Sequence, residues 1–177
     1  MIRKLYLLTF LTVILASCNA KPEKEISFNL PDNFVKVFHN NKENGSFDKE
    51  YVLEGETLQS WTEIIRYIYQ PVDVNLREQF SALVKIMANS CKEPFAPQPF
   101  DGTIGGHNAI NALFACGEKE GVEYGEITQY IFIHGENGVH SLQRAKRIKK
   151  FKAVDTQKII KKELKPWDEF FKSIDFK

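Results

Sequence analysis

The sequence predicts an α+β fold in which a mostly antiparallel sheet is flanked by helices. Residues 126–134 and 139–148 are predicted to form two strands joined by the turn Gly-Glu-Asn-Gly at 135–138. Residues 76–91 instead carry apolar side chains at the three- and four-residue spacing of a helix. Strands on both sides of a helix in the sequence favour one sheet covered by helices.

Three strands are predicted before this helix. Residues 34–38 alternate in polarity, and residues 48–53 follow them after a polar turn that contains an Asn-Gly hairpin dipeptide. Residues 61–69 are rich in β-branched and aromatic side chains, which favour strands. Pro71 ends the third strand, because proline lacks the N–H that a strand ladder uses.

The predicted helix follows Asn75, a residue type that caps helix N-termini. Its apolar stripe consists of Leu76, Phe80, Leu83, Val84, Met87, Ala88 and Cys91. Three prolines, at 94, 97 and 99, then predict an extended connection. We expect a flexible rim loop over residues 94–107, since its glycine-rich end lacks the Gly-Lys-Ser/Thr sequence of a phosphate-binding loop.

The second half of the chain is predicted to complete the sheet and to end in helices. Residues 107–116 form a further predicted strand, and the apolar run 130–133 predicts a central strand that is covered on both faces. Apolar residues then recur at steps of three and four from Ile160 to Ile174. Pro166 interrupts them, so we expect either a kink or two short helices.

The N-terminus has the pattern of a bacterial lipoprotein signal peptide, assigned to residues 1–17. Two basic residues precede an apolar run that is too short for an ordinary membrane span. The sequence Leu-Ala-Ser-Cys that ends at Cys18 resembles the lipobox, in which the cysteine thiol carries the lipid. Residues 18–27 are polar and are predicted to form a tether, and residues 28–177 a single globular domain.

This N-terminus predicts that the mature protein is located at the bacterial cell envelope. We expect the lipid on Cys18 to anchor it in a membrane, with the domain facing the periplasm. Residue 19 is Asn rather than the Asp that favours inner-membrane retention, which by resemblance to lipoproteins favours the outer membrane. Without residues 1–17 the chain has 22 basic and 23 acidic residues, so no overall positive charge would recruit nucleic acid.

Cys91 and Cys116 remain once Cys18 is assigned to the lipid. An even pair in an oxidising compartment predicts a disulfide. Two buried free thiols are an alternative, and so is a pair of metal ligands. The metal alternative is the weaker one, because neither cysteine belongs to a Cys-x-x-Cys motif.

Three sequence motifs resemble those of periplasmic lipoproteins of unknown function. They are Leu-Pro-Asp-x-Phe at 30–34, Tyr-Val-x-x-Gly-Glu-Thr-x-x-x-Trp at 51–61 and Gln-Arg-Ala-x-Arg at 143–147. The order of strands and helices is similar to that of the PsbP/Mog-type fold, which implies an α/β/α sandwich. This family has no agreed active-site residues, so the resemblance implies no catalytic positions.

The residues themselves do not form a recognisable catalytic set. The histidines are at 39, 107, 134 and 140, without a His-Glu-x-x-His motif, and no serine lies in a Gly-x-Ser-x-Gly motif. His134 and His140 flank the predicted hairpin turn, and a turn of two or four residues puts them on opposite faces of the sheet. We expect surface or turn-edge histidines and neither a metal nor a cofactor.

The leading hypothesis is therefore a non-enzymatic accessory or protein-interaction module that binds an envelope protein. The alternative is a protein that binds a small ligand or anionic lipid headgroups through the rim loop and the last strand, where Arg144, Lys146, Arg147 and His107 are the candidate binding residues. A solvated basic edge is the simpler explanation of those lysines and arginines. An enzyme whose site lacks a known motif is the weakest of the hypotheses.

Overall fold

The computed structural model describes residues 25–176, which form ten strands, three α-helices and two short 3₁₀ turns. The strands are β1 (Ile26–Ser27), β2 (Phe34–Asn41), β3 (Phe47–Leu53), β4 (Glu63–Gln70), β5 (Pro94–Phe95), β6 (Phe100–Ile104), β7 (His107–Cys116), β8 (Tyr124–His134), β9 (Val139–Lys149) and β10 (Asp175–Phe176). The helices are α1 (Leu76–Ala88), α2 (Thr156–Leu164) and α3 (Asp168–Lys172). The predicted signal peptide and Cys18 lie outside the described residues.

Eight of these strands form one antiparallel sheet. Their order is β2-β3-β4-β9-β8-β7-β5, with β6 also paired to β7. The hairpin of β8 and β9 lies in the centre, and its eleven paired positions make the longest ladder of the fold. All four residues from Tyr130 to Ile133 are buried, which confirms the central strand that the apolar run predicts.

One face of the sheet is covered by α1 and is called the α1 face below. Asn75 caps this helix, since its side-chain oxygen accepts the backbone N–H groups of Arg77 and Glu78. Leu76 and Phe80 pack on Ile110, Phe132 and neighbouring residues of β7 to β9. The predicted helix and its Asn75 cap are therefore confirmed, and its apolar stripe packs on the sheet. The helix ends at Ala88, so Cys91, the last predicted member of the stripe, lies beyond it.

The opposite face is covered by the N-terminal segment and by α2 and α3, and is called the C-terminal face below. Trp167 is 1% exposed and packs on Ala115 and Ile127. Phe170 and Ile174 pack on residues of β4, β8 and β9. Pro166 lies in the 3₁₀ turn between α2 and α3, which confirms two short helices in place of one.

Two parts of the predicted organisation differ from the structure. Residues 26–27, assigned to the tether, form β1 on β10, and Ile26 is buried. Residues 94–107, predicted as a flexible rim loop, include β5 and β6, and the latter is joined to β7 by a turn at Gly105 and Gly106 with positive φ angles. Both differences arise because short strands are stabilised by distant partners that local sequence does not reveal.

Candidate interaction surface

Strand β2 forms one edge of the sheet and leaves its outer side open. Every residue after Phe34 is exposed, and no strand within residues 25–176 pairs with that outer side. Three of the exposed side chains are apolar, namely Val35, Val37 and Phe38, each 37–39% accessible. An edge strand with free backbone groups can pair with an extended segment of another chain.

A β-bulge interrupts this edge at Val37, which has no partner on β3. Val35 lies opposite Val52, and Phe38 lies opposite Glu50, so both side chains lie on the α1 face. Bulges at sheet edges reorient side chains and discourage continuous strand-to-strand aggregation. The bulge therefore limits the registers in which a second strand can pair with β2. It favours a partner whose backbone follows the bend of this edge.

Beside β2, the α1 face carries a charged cluster that forms the floor of this surface. Arg66 on β4 ion-pairs with Asp48 at 2.9 Å and with Glu50 at 2.5 Å, both on β3. Burial raises the pKa of Glu50 above its usual range, and the positive charge of Arg66 counteracts part of this effect. One arginine between two carboxylates leaves the cluster with an excess of negative charge.

Arg144, the first predicted binding residue, is part of the protein core. Its guanidinium donates to the Glu63 carboxylate at 2.6 Å and lies 5.2–5.4 Å from the ring centres of Phe34, Trp167 and Phe170. Burial lowers its pKa, while Glu63 acts in the opposite direction. Arg144 also borders a shallow cavity of about 440 Å³, but its charge is already paired.

Lys146 and Arg147 are also engaged within the protein, on opposite faces of β9. Lys146 ion-pairs with Glu163 of α2 at 2.8 Å. Arg147 lies 3.8 Å from the ring centre of Trp61 and 4.6 Å from that of Tyr124, and it donates to the Trp61 carbonyl oxygen. The basic residues of the last strand therefore do not form one binding surface.

His107 lies at the turn between β6 and β7, apart from these residues. Its ring stacks on Phe176 with centres 4.1 Å apart, and its Nδ1 hydrogen-bonds the His134 carbonyl oxygen. A separate cavity of about 420 Å³ lies nearby at the start of α1, with His134 and Arg77 in its lining. Asp101 already ion-pairs with Arg77 there at 2.6 Å.

The expectation of surface or turn-edge histidines is wrong for His140. This side chain is fully buried on the C-terminal face, and its Nδ1 lies 2.9 Å from the hydroxyl of Tyr67. The same hydroxyl accepts the backbone N–H of Ile26. The predicted opposite placement of the two hairpin histidines is confirmed, because His134 pairs with Val139 and His140 pairs with Ile133.

Cys91 and Cys116 lie side by side, with Cα atoms 5.8 Å apart, within the range of disulfides. The two cysteines are therefore a disulfide-capable pair. A bond between them would link the segment after α1 to the end of β7. In residues 25–176, no three His, Cys, Asp or Glu side chains are grouped as metal ligands. No helix in that range is long and apolar enough to cross a membrane.

The three sequence motifs at 30–34, 51–61 and 143–147 have structural roles in this fold. The Glu56 carboxylate accepts both the backbone N–H and the hydroxyl of Thr62, which closes the loop before β4. Trp61 stacks on Arg147, and Phe34 packs beside Arg144. These residues fix the loop and the core. Leu30–Asp32 of the first motif and Arg144 of the third line the same shallow cavity of about 440 Å³.

The fold defines the chain as an α+β sandwich of the Mog/PsbP-like type. It is similar to the crystal structure of the Ran-binding protein Mog1p of Saccharomyces cerevisiae, with a TM-score of 0.56 and 14% identity over 84% of this chain and 88% of Mog1p. A mutant of Mog1 gives the same TM-score and identity, with 84% and 89% covered. These likenesses confirm the predicted fold class.

A further structural match is LpqN of Mycobacterium tuberculosis, described as involved in cell envelope biogenesis. Its TM-score is 0.39, with 11% identity over 89% of this chain and 87% of LpqN, which is too low to relate the two folds. No protein-family model matches the sequence. No curated protein matches it significantly either.

Proposed function

We propose that this chain is a membrane-anchored envelope lipoprotein whose domain acts as a non-enzymatic protein-interaction module. The open edge of β2, with Val35, Val37 and Phe38 exposed along eight residues of strand, supports this proposal most strongly. Exposed apolar side chains beside unpaired backbone groups are a known mode of binding to extended segments of other proteins. Mog1p, which has a similar fold, is itself named for a protein partner.

The chemistry of β2 defines the kind of partner. The strand contains Lys36 and His39 but no acidic residue. An added strand would need apolar side chains to contact Val35 and Phe38 and an acidic residue to face Lys36. A second copy of β2 would bring basic residues together instead. A segment of another envelope protein therefore fits better if its apolar residues lie on the α1 face and an acidic residue faces Lys36 on the opposite face.

The anchoring is proposed from the signal peptide and Cys18. Cys18 lies seven positions before Glu25, a stretch that reaches at most about 25 Å when fully extended. A lipid at Cys18 would therefore keep the domain close to the membrane surface. We place it on the periplasmic side, in the outer rather than the inner membrane.

Photo-crosslinking in the native envelope tests this function. A photoreactive amino acid replaces Phe38 in the full chain, and the same substitution at Phe100 provides the control. Phe100 is 74% exposed and lies on β6, at the opposite edge of the sheet. We expect a discrete adduct with another envelope protein from position 38 that position 100 does not give.

The binding is then measured with the identified protein and this chain, both purified. We expect Phe38→Asp to abolish binding and Phe100→Asp to leave it unchanged, since only Phe38 lies on the proposed surface. The absence of any adduct at position 38 would contradict the proposed function. An adduct only with a second copy of this chain, or equal binding by both variants, would contradict it as well.

A further inference from the structure

The basic charge of this protein is concentrated in the segment that ends β9 and forms α2. Residues 149–165 contain seven lysines and two carboxylates, a net charge of +5. The other described residues, 25–148 and 166–176, contain 12 basic and 20 acidic side chains, a net charge of −8. The domain is therefore strongly dipolar although its total charge is small.

Helix α2 presents most of these lysines on its outer side. Lys158, Lys161, Lys162 and Lys165 are exposed and follow the three- and four-residue spacing of one helix face. On the opposite side of the helix, Ile160 and Leu164 pack toward the core. The packing of α2 on the sheet therefore directs these four lysines outward.

Lys149 lies opposite Tyr124, on the same face of β9 as Arg147, which is the α1 face. Four other lysines of the segment have no acidic partner among residues 25–176: Lys152, Lys158, Lys161 and Lys165. We call these four residues the lysine face. Val154 lies between its members in the sequence and is 88% exposed, the highest value among the exposed large apolar residues. Unpaired lysines around an exposed apolar side chain suit the interface of an anionic membrane.

The start of the domain belongs to the same layer as the lysine face. Ile26 packs with Phe170 and Ile174 on the C-terminal face, and the backbone N–H of Asn29 donates to the Ser173 hydroxyl at 2.8 Å. A tether from Cys18 therefore enters the domain on the side of the sheet that carries α2. The α1 face lies on the other side.

We propose that the lysine face docks on anionic phospholipid headgroups and orients the domain, with its C-terminal face toward the membrane and its α1 face away from it. This inference rests on the proposed anchoring through Cys18. A docked domain would leave Val35 and Phe38, whose side chains lie on the α1 face, accessible from the periplasm. The proposal places the basic binding surface on α2, whereas the sequence predicts Arg144, Lys146 and Arg147 as the binding residues.

Amine labelling of the processed full-length protein tests this orientation. The protein is reconstituted in vesicles of phosphatidylcholine, with or without phosphatidylglycerol, and a membrane-impermeant reagent modifies accessible lysines. We expect phosphatidylglycerol to protect the lysine face, while Lys42, at the β2–β3 turn, and Lys85, on α1, stay equally reactive in both vesicles. High salt should remove the protection, because it screens the attraction.

Two matched double variants isolate the effect of position. Replacing Lys158 and Lys161 by glutamine should expose the remaining Lys152 and Lys165 to the reagent. Since one lysine near an anionic surface changes binding by about five-fold, the ratio of docked to undocked domain should fall on the order of thirty-fold. Replacing Lys42 and Lys85 removes the same charge and should leave the protection intact.

Equal labelling in both vesicles, or equal behaviour of the two variants, would overturn the inference. So would protection that occurs in the native envelope but in neither vesicle, because that result would indicate an acidic protein partner. The intact mass of the same sample reports the lipid separately. Protection without a lipid would refute the anchor alone, and a lipid without protection would refute the docking alone.

Discussion

Arg144 and Glu63 form a buried ion pair between the adjacent strands β9 and β4. The Arg144 Nε donates to a Glu63 carboxylate oxygen at 2.6 Å, and the two side chains are only 9% and 12% exposed. Three aromatic rings surround the guanidinium. A charge this buried depends on its partner, so Arg144 stabilises the fold and is not free to bind an external anion.

Replacing Arg144 by alanine should destabilise the protein by about 3–5 kcal/mol, because the buried Glu63 carboxylate loses its partner. Chemical denaturation of the purified protein measures the free energy of unfolding. Lys36→Ala, at an exposed position of β2, serves as control and should change it by less than about 0.5 kcal/mol. A loss below about 1 kcal/mol for Arg144→Ala would show that the pair is not essential.

The double variant Arg144→Met and Glu63→Gln separates the pair from its individual charges. Removing both charges avoids leaving one of them buried without a partner, so the double variant should be more stable than Arg144→Ala. The same denaturation experiment compares the two proteins. Equal destabilisation would mean that side-chain packing, and not the unpaired charge, causes the loss.

The Lys146–Glu163 pair predicts a pH dependence of stability. The hydrogen bond from Lys146 lowers the pKa of Glu163 below its ordinary value of 4.5. The stabilising contribution is therefore complete above this value and is lost as the pH falls through the lower pKa of the folded state. Unfolding measured from neutral to acidic pH tests this expectation.

Glu163→Gln should lower the free energy of unfolding by up to about 1 kcal/mol at neutral pH, a difference that shrinks in acid. Glu169→Gln provides the control, because Glu169 and its partner Lys172 are 88% and 70% exposed. That variant should change little at any pH. A difference between wild type and Glu163→Gln that stays constant with pH would contradict the assigned ion pair.

The cysteine pair predicts a second contribution to stability. If Cys91 and Cys116 are bonded, replacing both by serine should cost about 3 kcal/mol, as expected for a loop closed over 25 residues. Alkylation with and without reductant, followed by intact mass, measures the number of free thiols in protein taken from the envelope. Two thiols alkylated without reductant would refute the disulfide.

The regular elements were predictable because their signals are local. The stripe from Leu76 to Phe80 and beyond identifies α1, and the two strands around residues 135–138 identify the central hairpin. Strands β1 and β10 have only two residues each and pair across almost the whole domain. No local periodicity can indicate such a pair, which is why residues 26–27 were assigned to the tether.

The roles of individual polar residues were less predictable, because their partners are distant in the sequence. Arg144 pairs with a residue 81 positions away, and His140 with one 73 positions away. The basic sequence after residue 143 correctly indicates a concentration of charge, but it cannot show which lysines are neutralised. The exposed edge of β2 depends on strand order, which local sequence does not specify.

Intact mass spectrometry of the protein purified from its own envelope tests the proposed anchoring most directly. We predict a mature chain that begins at Cys18 and carries a diacylglyceryl group. The variant Cys18→Ala should lack the lipid and retain the signal peptide, because the modification precedes cleavage. An unmodified mature chain, or normal processing of Cys18→Ala, would contradict the proposal that this domain works as a membrane-anchored lipoprotein.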